Sequence, residues 1–279
     1  MQKIRNSDTN PKMTMRIYLI DWSVFIFKAI FAGRMNHQVK PTYMALSMLL
    51  GCLRLAGLTK YDRVILACDG RGNWRKDVDP NYKANRKAFR ESFEDINWDE
   101  EFNNFNVFIK QLDSSTPFYI LKLNKLEADD IIASAVRFYK DYNCIIVSTD
   151  KDYDQLLSLS NVRIFSSSKK EYRTVTNPYK SLAQKIQREE TDNLTSEISS
   201  DLDAVKREEL VSLLTLPKWV QDNVQSELEL IGPKLFDVRA LPYQSLRPRL
   251  EMLLNNEKEE SDSSMAGKKT TKKGKGGKK

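Results

Sequence analysis

The stretch LEADDIIASAVRFYKDYNCIIVSTDKDYDQ, residues 126–155, combines two apolar runs with a series of carboxylates. The first run has the spacing of a helix, and its first turn is acidic, with Glu127, Asp129 and Asp130. The second run, CIIVSTD, is typical of a buried strand that ends in Asp150, with Asp152 following it. A helix followed closely by a short buried strand is the repeating unit of an α/β fold, so this stretch predicts the fold class.

Four further runs of aliphatic and β-branched residues lie on either side of this stretch. They are MRIYLID (15–21), RVILACD (63–69), PFYILKL (117–123) and VRIFS (162–166). Between the first two, YMALSMLLGCLRLAGL (43–58) has helical apolar spacing and ends in a glycine-containing cap. Strands rich in Ile, Val and Leu that alternate with helices predict a parallel sheet flanked by helices.

Several of the predicted strands end in a carboxylate. Asp21, Asp69 and Asp150 each close a strand, and Glu127 follows another strand closely. Because the carboxyl ends of parallel strands meet at one edge of the sheet, we expect these groups to converge there. Within the predicted helix, Glu127 and Asp130 share a face at a spacing of three, whereas Asp129 is expected to point elsewhere.

Crowded carboxylates raise one another's pKa unless a cation neutralises them. Ligation by oxygen alone suits Mg²⁺ or Mn²⁺, and two ions about 3.5–4 Å apart can clamp a phosphodiester. A single Asp after a strand is weak evidence, because Asp often caps the following helix. The repeated arrangement favours a metal site over a scattered acidic surface.

Charge is unevenly distributed along the chain, whose formal net charge is +7. The last fifteen residues contain seven lysines and no acid, and the remaining residues balance 38 basic against 38 acidic groups. Residues 71–90 hold seven basic and two acidic side chains, and residues 91–101 hold six acids and no base. The tail, 259–279, is predicted to be disordered, either as a solubility tail or as a non-specific contact for a polyanion.

Other features limit the classes of function. No apolar run is long enough to span a membrane, and the first residues lack the apolar segment of a signal peptide, so we expect a cytoplasmic protein. Cys52, Cys68 and Cys144 lie in apolar surroundings without metal-ligand spacing, which predicts core packing. The single histidine, His37, excludes a histidine-rich metal site.

Five short motifs occur in the order LIDWS (19–23), ACDG (67–70), YKANR (82–86), LEADD (126–130) and STDKDYDQL (148–156). In combination they resemble the motifs of the flap endonuclease/5′→3′ exonuclease family, most closely its T-even bacteriophage branch. The resemblance covers residues 15–193 well and 194–254 more loosely. It implies a PIN-like nuclease core at 15–193 with a helical arch within 70–115, after a flexible start at 1–14. A small helical C-terminal region at 194–258 would precede the tail.

The resemblance implies two Mg²⁺ ions, which Mn²⁺ could replace. Asp21, Asp69, Glu127 and Asp129 resemble the ligands of the first metal, directly or through water, and Asp130 matches an acid of the bacterial and phage branches. Asp150 resembles the ligand that bridges towards the second metal, and Asp152 and Asp192 resemble that metal's other ligands. The resemblance implies an outer-shell role for Glu189, although relatives carry another Asp at that position, and Asp154 is expected to be a surface or capping residue.

The basic stretch WRKDVDPNYKANRKAFR (74–90) matches the base of the family's arch. Lys83 and Arg86 resemble the pair that holds and polarises the scissile phosphate, and Tyr82 could stack on a terminal base. Further backbone contacts are predicted for Arg71, Arg75, Lys76, Lys87 and Arg90. Without carboxylates nearby, the same pattern would indicate only a solvated basic helix.

One feature departs from the family pattern. The segment TDNLTSEISSDLDAVKREELVSLL (191–214) contains no glycine and looks shortened. The resemblance implies a glycine-rich helix–three-turn–helix there, which in relatives grips duplex phosphates, often with K⁺. Close approach of a backbone to phosphate usually requires glycine. Duplex anchoring by this segment is therefore left open, and the lysine-rich tail could compensate.

The resemblance implies a structure-specific 5′ nuclease that acts on DNA with 5′ flaps or ends and on RNA–DNA hybrids. It would remove primers during phage replication in the host cytoplasm, as a monomer, with a single-strand-binding protein or a clamp as a partner. A PIN-type endoribonuclease and an inactive nucleic-acid-binding accessory protein are the alternatives. A haloacid-type phosphatase is disfavoured, because Ser23 stands where that class needs a second Asp.

Overall fold

The structure is a computed structural model that describes residues 15–35, 38–187 and 198–257. The strands are β1 (Ile17–Asp21), β2 (Arg63–Cys68), β3 (Tyr119–Lys122), β4 (Cys144–Val147), β5 (Val162–Ser166) and β6 (Glu171–Tyr172). The first helices are α1 (Trp22–Met35), α2 (Pro41–Leu55), α3 (Arg75–Val78), α4 (Asn85–Glu91) and α5 (Trp98–Ser115). They are followed by α6 (Ala128–Phe138), α7 (Lys180–Ile186), α8 (Ala204–Val211), α9 (Lys218–Glu229) and α10 (Arg247–Leu254). Three short 3-10 helices cover Asp152–Ser158, Val238–Ala240 and Gln244–Leu246.

The six strands form one sheet in the order β3-β2-β1-β4-β5-β6. The first five strands of this order are parallel, and β6 pairs antiparallel with β5. This confirms the predicted α/β class and the five predicted strands. The two-residue strand β6 was not predicted, because a run that short carries no periodicity.

Alternate residues of the central strand face two separate apolar layers, because successive strand side chains point to opposite faces. Tyr18 and Ile20 of β1 face a core built with α1, α2, α5 and α10. Ile17 and Leu19 face a second core built with α6, α8 and α9. All four side chains are fully buried, which explains the unbroken apolar run that marks a parallel strand with both faces covered.

The segment between β2 and β3 folds into α3, α4 and α5. Its weak sequence periodicity follows from the shortness of α3 and α4, and from α4 having no buried residue. The longer α5 begins at an Asn97 cap and carries acids in its first turn, which favours its start. Ring contacts of Phe31 with Phe93 and Trp98, at centroid distances of 5.1 and 5.9 Å, hold the segment against α1. That these helices arch over a substrate strand stays a prediction.

The C-terminal helices complete both apolar layers. Leu210 of α8 and Val220 and Val224 of α9 pack into the core shared with α6. Leu250 and Leu253 of α10 pack into the other core. The region 198–257 is therefore part of the main hydrophobic structure, and dividing it from the nuclease core stays a functional proposal.

The turn between α8 and α9 is made without glycine. The hydroxyl of Ser212 accepts hydrogen bonds from the amides of Leu214 and Thr215, both at 3.2 Å. Pro217 then stands immediately before α9, where its missing amide proton costs little. Hydrogen bonds to a serine side chain thus order the turn between these two helices.

The remaining predictions on the fold concern cysteines, membrane spans and the chain ends. Cys52, Cys68 and Cys144 are free and buried, as predicted. Within the described residues, none of the helices combines the length and the apolar character that crossing a bilayer requires. The start at 1–14, His37 and the tail at 259–279 lie outside the described residues.

Candidate metal and nucleic-acid site

Three carboxylates converge at the carboxyl edge of the sheet. Asp129 lies in the first turn of α6, Asp150 follows β4, and Asp152 begins the next 3-10 helix. An oxygen of each lies within 4.8 Å of the others. Three hard oxygen donors at this spacing fit a divalent cation such as Mg²⁺ or Mn²⁺.

Two more carboxylates lie at the ends of neighbouring strands. Asp21 closes β1 and accepts a hydrogen bond of 2.8 Å from the hydroxyl of Ser148. Asp69 follows β2 and accepts hydrogen bonds from the hydroxyl of Ser23 at 2.7 Å and the amide of Ala128 at 2.9 Å. The charges of Asp150 and Asp69 both repel that of Asp21. We define the acidic cluster as Asp21, Asp69, Asp129, Asp150 and Asp152.

Burial and mutual repulsion destabilise the ionised forms of three members of this cluster. Burial, reinforced by the charges of Asp150 and Asp69, raises the pKa of Asp21 to about 7. Burial and the charge of Asp150 raise the pKa of Asp129 well above its usual value. Burial and Asp152 raise the pKa of Asp150. A divalent cation among these groups would offset the penalty, so the cluster fits the predicted metals electrostatically as well as in its donors.

Asp130 fixes the start of α6 and does not join the acidic cluster. It is fully buried and accepts a hydrogen bond of 2.9 Å from the amide of Glu127, as part of a capping box. Arg75 donates to both of its carboxylate oxygens, at 3.0 and 2.7 Å, and Trp74 donates at 3.2 Å. These donors occupy the carboxylate, which argues against the predicted role of Asp130 as a metal ligand. Glu127 and Asp130 meet the same Arg75 guanidinium, as their shared face predicts. Asp129 points away from them, towards Asp150 and Asp152.

Arg75 and Tyr82 are core residues in this structure. Arg75 is 2% exposed, and its guanidinium also donates to Glu127 at 3.2 Å and to the carbonyl of Leu210 at 2.7 Å. The predicted contact of Arg75 with a nucleic-acid backbone is therefore excluded by burial. Tyr82 is 6% exposed and its hydroxyl donates to Glu127 at 3.1 Å. Its ring is not presented for stacking on a base.

Lys83 forms an ion pair with Glu127, the acid that precedes α6. Its ammonium lies 2.7 Å from that carboxylate, and its backbone is left-handed, with a φ of 54°. Burial alone would raise the pKa of Glu127, but Lys83 and Arg75 outweigh it and lower the pKa to about 2. Burial alone would lower the pKa of Lys83, but Tyr82 and Glu127 outweigh it and raise the pKa well above its usual value. Both groups are therefore charged across the neutral range.

The other predicted basic residues lie near the surface. Arg71, Lys76, Arg86 and Lys87 are exposed, and Arg90 is half-buried. Lys87 forms an exposed ion pair of 3.7 Å with Glu91, one turn along α4. Their positions are compatible with phosphate contacts, which stay a prediction. Glu189 and Asp192 lie outside the described residues.

The structure adds residues that sequence reasoning missed. The hydroxyl of Tyr153 donates to Asp129 at 2.5 Å, and Lys185 on α7 pairs with Asp152 at 2.5 Å. Arg173 contacts Asp154, which is buried, so the surface alternative for Asp154 is wrong. Asp154 lies in the first turn of the 3-10 helix, and the capping alternative stays a prediction. The STDKDYDQL motif contains Tyr153, but its neighbours in sequence do not reveal that its hydroxyl faces α6. Lys185 is 33 residues from its partner, so only tertiary structure reveals the pair.

Comparison with known proteins connects this geometry to a family. A sequence model described as "5'-3' exonuclease, N-terminal resolvase-like domain" matches residues 16–188, which is more than half of the chain. The chain belongs to the 5′-3′ exonuclease family. The resemblance predicted from the five motifs is confirmed, and every motif lies within the matched region.

Individual members of the 5′-3′ exonuclease family give the same result. Ribonuclease H of Enterobacteria phage T4 is 29% identical over 165 residues, which is 56% of this chain and 53% of that protein. The exonuclease of Escherichia phage T7 is 35% identical over 94 residues, 32% of this chain and 28% of that protein. The match therefore spans about half the length of the T4 relative and less of the T7 relative. The T4 match agrees with the predicted likeness to the T-even branch.

A solved structure supports the fold independently. The D15 protein of T5, crystallised with metal ions, superimposes with a TM-score of 0.52 at 16% identity. The alignment covers 77% of this chain and 98% of that protein. At this level of identity the likeness concerns the fold, and it confirms the predicted parallel sheet flanked by helices.

Proposed function

We propose that this chain is a divalent-metal-dependent, structure-specific 5′ nuclease that hydrolyses phosphodiester bonds. The observation that carries the proposal is the acidic cluster, five carboxylates at the carboxyl edge of a 5′-3′ exonuclease-family sheet. Three of them present oxygens within 4.8 Å of one another, and three have raised pKa values without a cation. Carboxylates in this state are costly to bury unless they serve to bind a cation.

The cluster residues are the proposed metal ligands. Asp129, Asp150 and Asp152 would hold one ion, and Asp21 and Asp69 would supply oxygens for a second. This grouping differs from the one that the resemblance implied, because Asp129 lies with Asp150 and because Arg75, Tyr82 and Lys83 engage Glu127. Bound ions would activate water and stabilise the leaving oxyanion of the phosphodiester. We propose Mg²⁺ as the metal, with Mn²⁺ as a substitute, because the donor set is oxygen alone. The metal ions crystallised with the T5 D15 protein support the proposal of a metal site in this fold.

The chain's own residues orient the substrate. Lys83 carries a partly buried ammonium beside Glu127, and Arg86, which is exposed, lies one turn later. We propose that both contact the scissile phosphate, where a fixed positive charge acts most strongly as negative charge develops in the transition state. Tyr153 and Ser148 hold Asp129 and Asp21 by hydrogen bonds, so two carboxylates keep their orientation before a metal arrives.

The proposed substrates are DNA with 5′ flaps or ends and RNA–DNA hybrids. The names of the phage relatives, Ribonuclease H and Exonuclease, support testing both. We propose a monomer that acts in the cytoplasm of a bacterial host, removes primers during replication, and works with a single-strand-binding protein or a clamp. In this proposal residues 15–193 supply the chemistry and residues 194–258 support duplex binding.

Cleavage of end-labelled substrates tests the proposal directly. The substrates are a 5′-flap duplex, an RNA–DNA hybrid and a single-stranded RNA, each incubated with EDTA, Mg²⁺ or Mn²⁺. We expect metal-dependent cleavage of the first two, with products that begin at the 5′ end or the flap junction. Cleavage in EDTA would contradict the metal dependence. Cleavage of single-stranded RNA alone would favour the endoribonuclease alternative.

A further inference from the structure

The backbone from Leu210 to Leu213, at the end of α8, is held by side chains from three other elements. Arg75 of α3 donates to the Leu210 carbonyl at 2.7 Å. The side-chain oxygen of Gln155 accepts a hydrogen bond of 2.7 Å from the Leu213 amide. Arg137 near the end of α6 donates to the Leu213 carbonyl at 2.7 Å. We call residues 210–213 the brace.

Arg75 connects the brace to the first turn of α6. The same guanidinium that reaches Leu210 also donates to Glu127 and to both oxygens of Asp130. Asp129 lies between these two acids in the sequence and is the α6 member of the acidic cluster. A rigid, buried guanidinium thus binds the two acids that lie on either side of Asp129 in the sequence, two positions before it and one after it.

Gln155 connects the brace to the other side of the acidic cluster. Its amide nitrogen donates to the Asp152 carbonyl at 2.8 Å, while its oxygen accepts from Leu213. Gln155 is 3% exposed, and both ends of its amide are engaged. The residue therefore fixes the first turn of the 3-10 helix that presents Asp152.

We propose that Arg75 and Gln155 are positioning residues that set the spacing between Asp129 and Asp152 by tying both to the brace. The C-terminal region then does more than complete the cores, because its backbone supplies the common support for two ligands from separate elements. This inference rests on the proposed metal-dependent function. It assigns Arg75 a role in place of the excluded nucleic-acid contact.

Two substitutions and one control test the inference on the full chain. Arg75→Lys keeps a positive charge beside Asp130 but cannot bridge two carboxylates and a carbonyl at once. Gln155→Met keeps the volume and loses all three hydrogen bonds of the amide, to Asp152, Val211 and Leu213. Arg137→Met is the control, because Arg137 grips the same brace at Leu213 and its hydrogen bonds within the described chain go to backbone carbonyls.

Mn²⁺ binding to the intact chain, followed by the loss of the free-ion electron paramagnetic resonance signal, is the main measurement. We expect Arg75→Lys and Gln155→Met each to weaken Mn²⁺ binding by about 10–100-fold, the usual effect of removing a partner that orients a metal ligand. Cleavage by both variants should recover as the Mg²⁺ concentration is raised. Arg137→Met should lower the melting temperature and leave Mn²⁺ affinity at the wild-type value.

Two outcomes overturn the inference. One is wild-type Mn²⁺ affinity in folded Arg75→Lys and Gln155→Met, which would reduce both residues to packing. The other is an equal loss of affinity in Arg137→Met, which would show only that loosening the C-terminal region harms the site. Failure of the proposed function is distinguishable from these, because it shows in the wild-type chain, as absent Mn²⁺ binding or absent metal-dependent cleavage.

Discussion

Asp129 of α6 lies where α6 meets the end of β4 and the 3-10 helix that follows it. One of its carboxylate oxygens lies within 4.8 Å of an oxygen of Asp150 and of Asp152, and it accepts a hydrogen bond from the hydroxyl of Tyr153. We expect Asp129→Asn to keep the shape and lose the charge that a metal requires. Because metal ions supply several kcal/mol of transition-state stabilisation, turnover should fall by roughly 10³-fold or more. Single-turnover cleavage of a 5′-flap substrate in Mg²⁺ measures this loss.

Asp141→Asn is the matched control for that prediction. Asp141 is exposed and lies just before β4, at the opposite edge of the sheet from the acidic cluster. Its substitution removes the same charge and should leave the rate within about twofold of the wild type, since exposed substitutions away from such a site have small effects. A near wild-type rate in Asp129→Asn would show that Asp129 has been assigned the wrong role.

The raised pKa of Asp21 predicts a pH dependence of stability in the metal-free protein. Its folded pKa is about 7, mainly because of burial, against 3.8 for the exposed group. Between these values the folded state retains a proton that the unfolded state releases, so this contribution to stability is present below pH 4 and is lost as the pH rises towards 7. About three pH units of displacement correspond to a few kcal/mol.

Thermal unfolding in EDTA between about pH 4 and 8, compared with Asp21→Asn, isolates this contribution. The difference in melting temperature between variant and wild type should grow in favour of the variant as the pH rises. Added Mg²⁺ should stabilise the wild type most near neutral pH and above, where the ionised cluster binds the cation. A difference between the two proteins that does not change with pH would contradict the raised pKa.

At the scale of elements, the turn that leads into α4 carries both a charge and an unusual backbone. Lys83 has a left-handed φ of 54°, a region in which glycine fits without cost, and its ammonium lies 2.7 Å from Glu127. Lys83→Ala and Lys83→Gly both remove the charge, whereas only the glycine relieves the backbone. We expect equal losses of single-turnover rate at saturating enzyme, with the glycine variant the more stable by roughly 1 kcal/mol.

Lys110→Ala is the control for the Lys83 pair, since Lys110 is an exposed lysine on α5. Its removal should change neither rate nor stability measurably. If Lys83→Gly restored the rate that Lys83→Ala loses, the backbone of this turn would matter and the ammonium would not. A loss confined to substrate affinity would make Lys83 an ordinary phosphate contact.

The elements that sequence predicts best are those whose pattern is local. Each of β1, β2, β4 and β5 is a short apolar run, and a carboxylate after three of them marks the edge where the acidic cluster forms. The start of α6 shows where such reasoning stops. Spacing alone correctly pairs Glu127 with Asp130 and sets Asp129 apart, but it does not show that the side chain of Asp129 is the one that turns towards the cluster.

The reason is a partner far away in sequence. Arg75 pairs with Asp130 across 55 positions and removes that acid from the site, while Lys83 and Tyr82 engage Glu127. A basic stretch with aromatic residues has the same pattern whether its side chains face solvent or the core. Only packing against α6 and α8 decides whether these side chains face solvent or the core. The sequence pattern alone therefore could not show that Arg75 and Tyr82 are buried.

At the scale of the whole molecule, the fold separates stability from chemistry. Both apolar layers depend on C-terminal helices, with α9 on one face of the sheet and α10 on the other. The charged groups instead lie at the carboxyl edge of the sheet, where the acidic cluster forms. The exposed basic residues of 71–90 lie in the segment that follows β2. Repulsion between the cluster and substrate phosphates must then be offset by cations, bound or belonging to the chain.

The lysine-rich tail is the largest surplus of positive charge in the sequence, because residues 1–264 balance 38 basic against 38 acidic groups. We predict that replacing its seven lysines, 268, 269, 272, 273, 275, 278 and 279, with glutamine weakens duplex binding and flattens its salt dependence. The slope of log affinity against log salt should become shallower by about 0.9 for every phosphate that the tail no longer neutralises. Titrations between low and moderate salt, in EDTA to prevent cleavage, measure the slope at unchanged chain length. An unchanged slope would leave the basic residues of 71–90 as the main source of phosphate contacts.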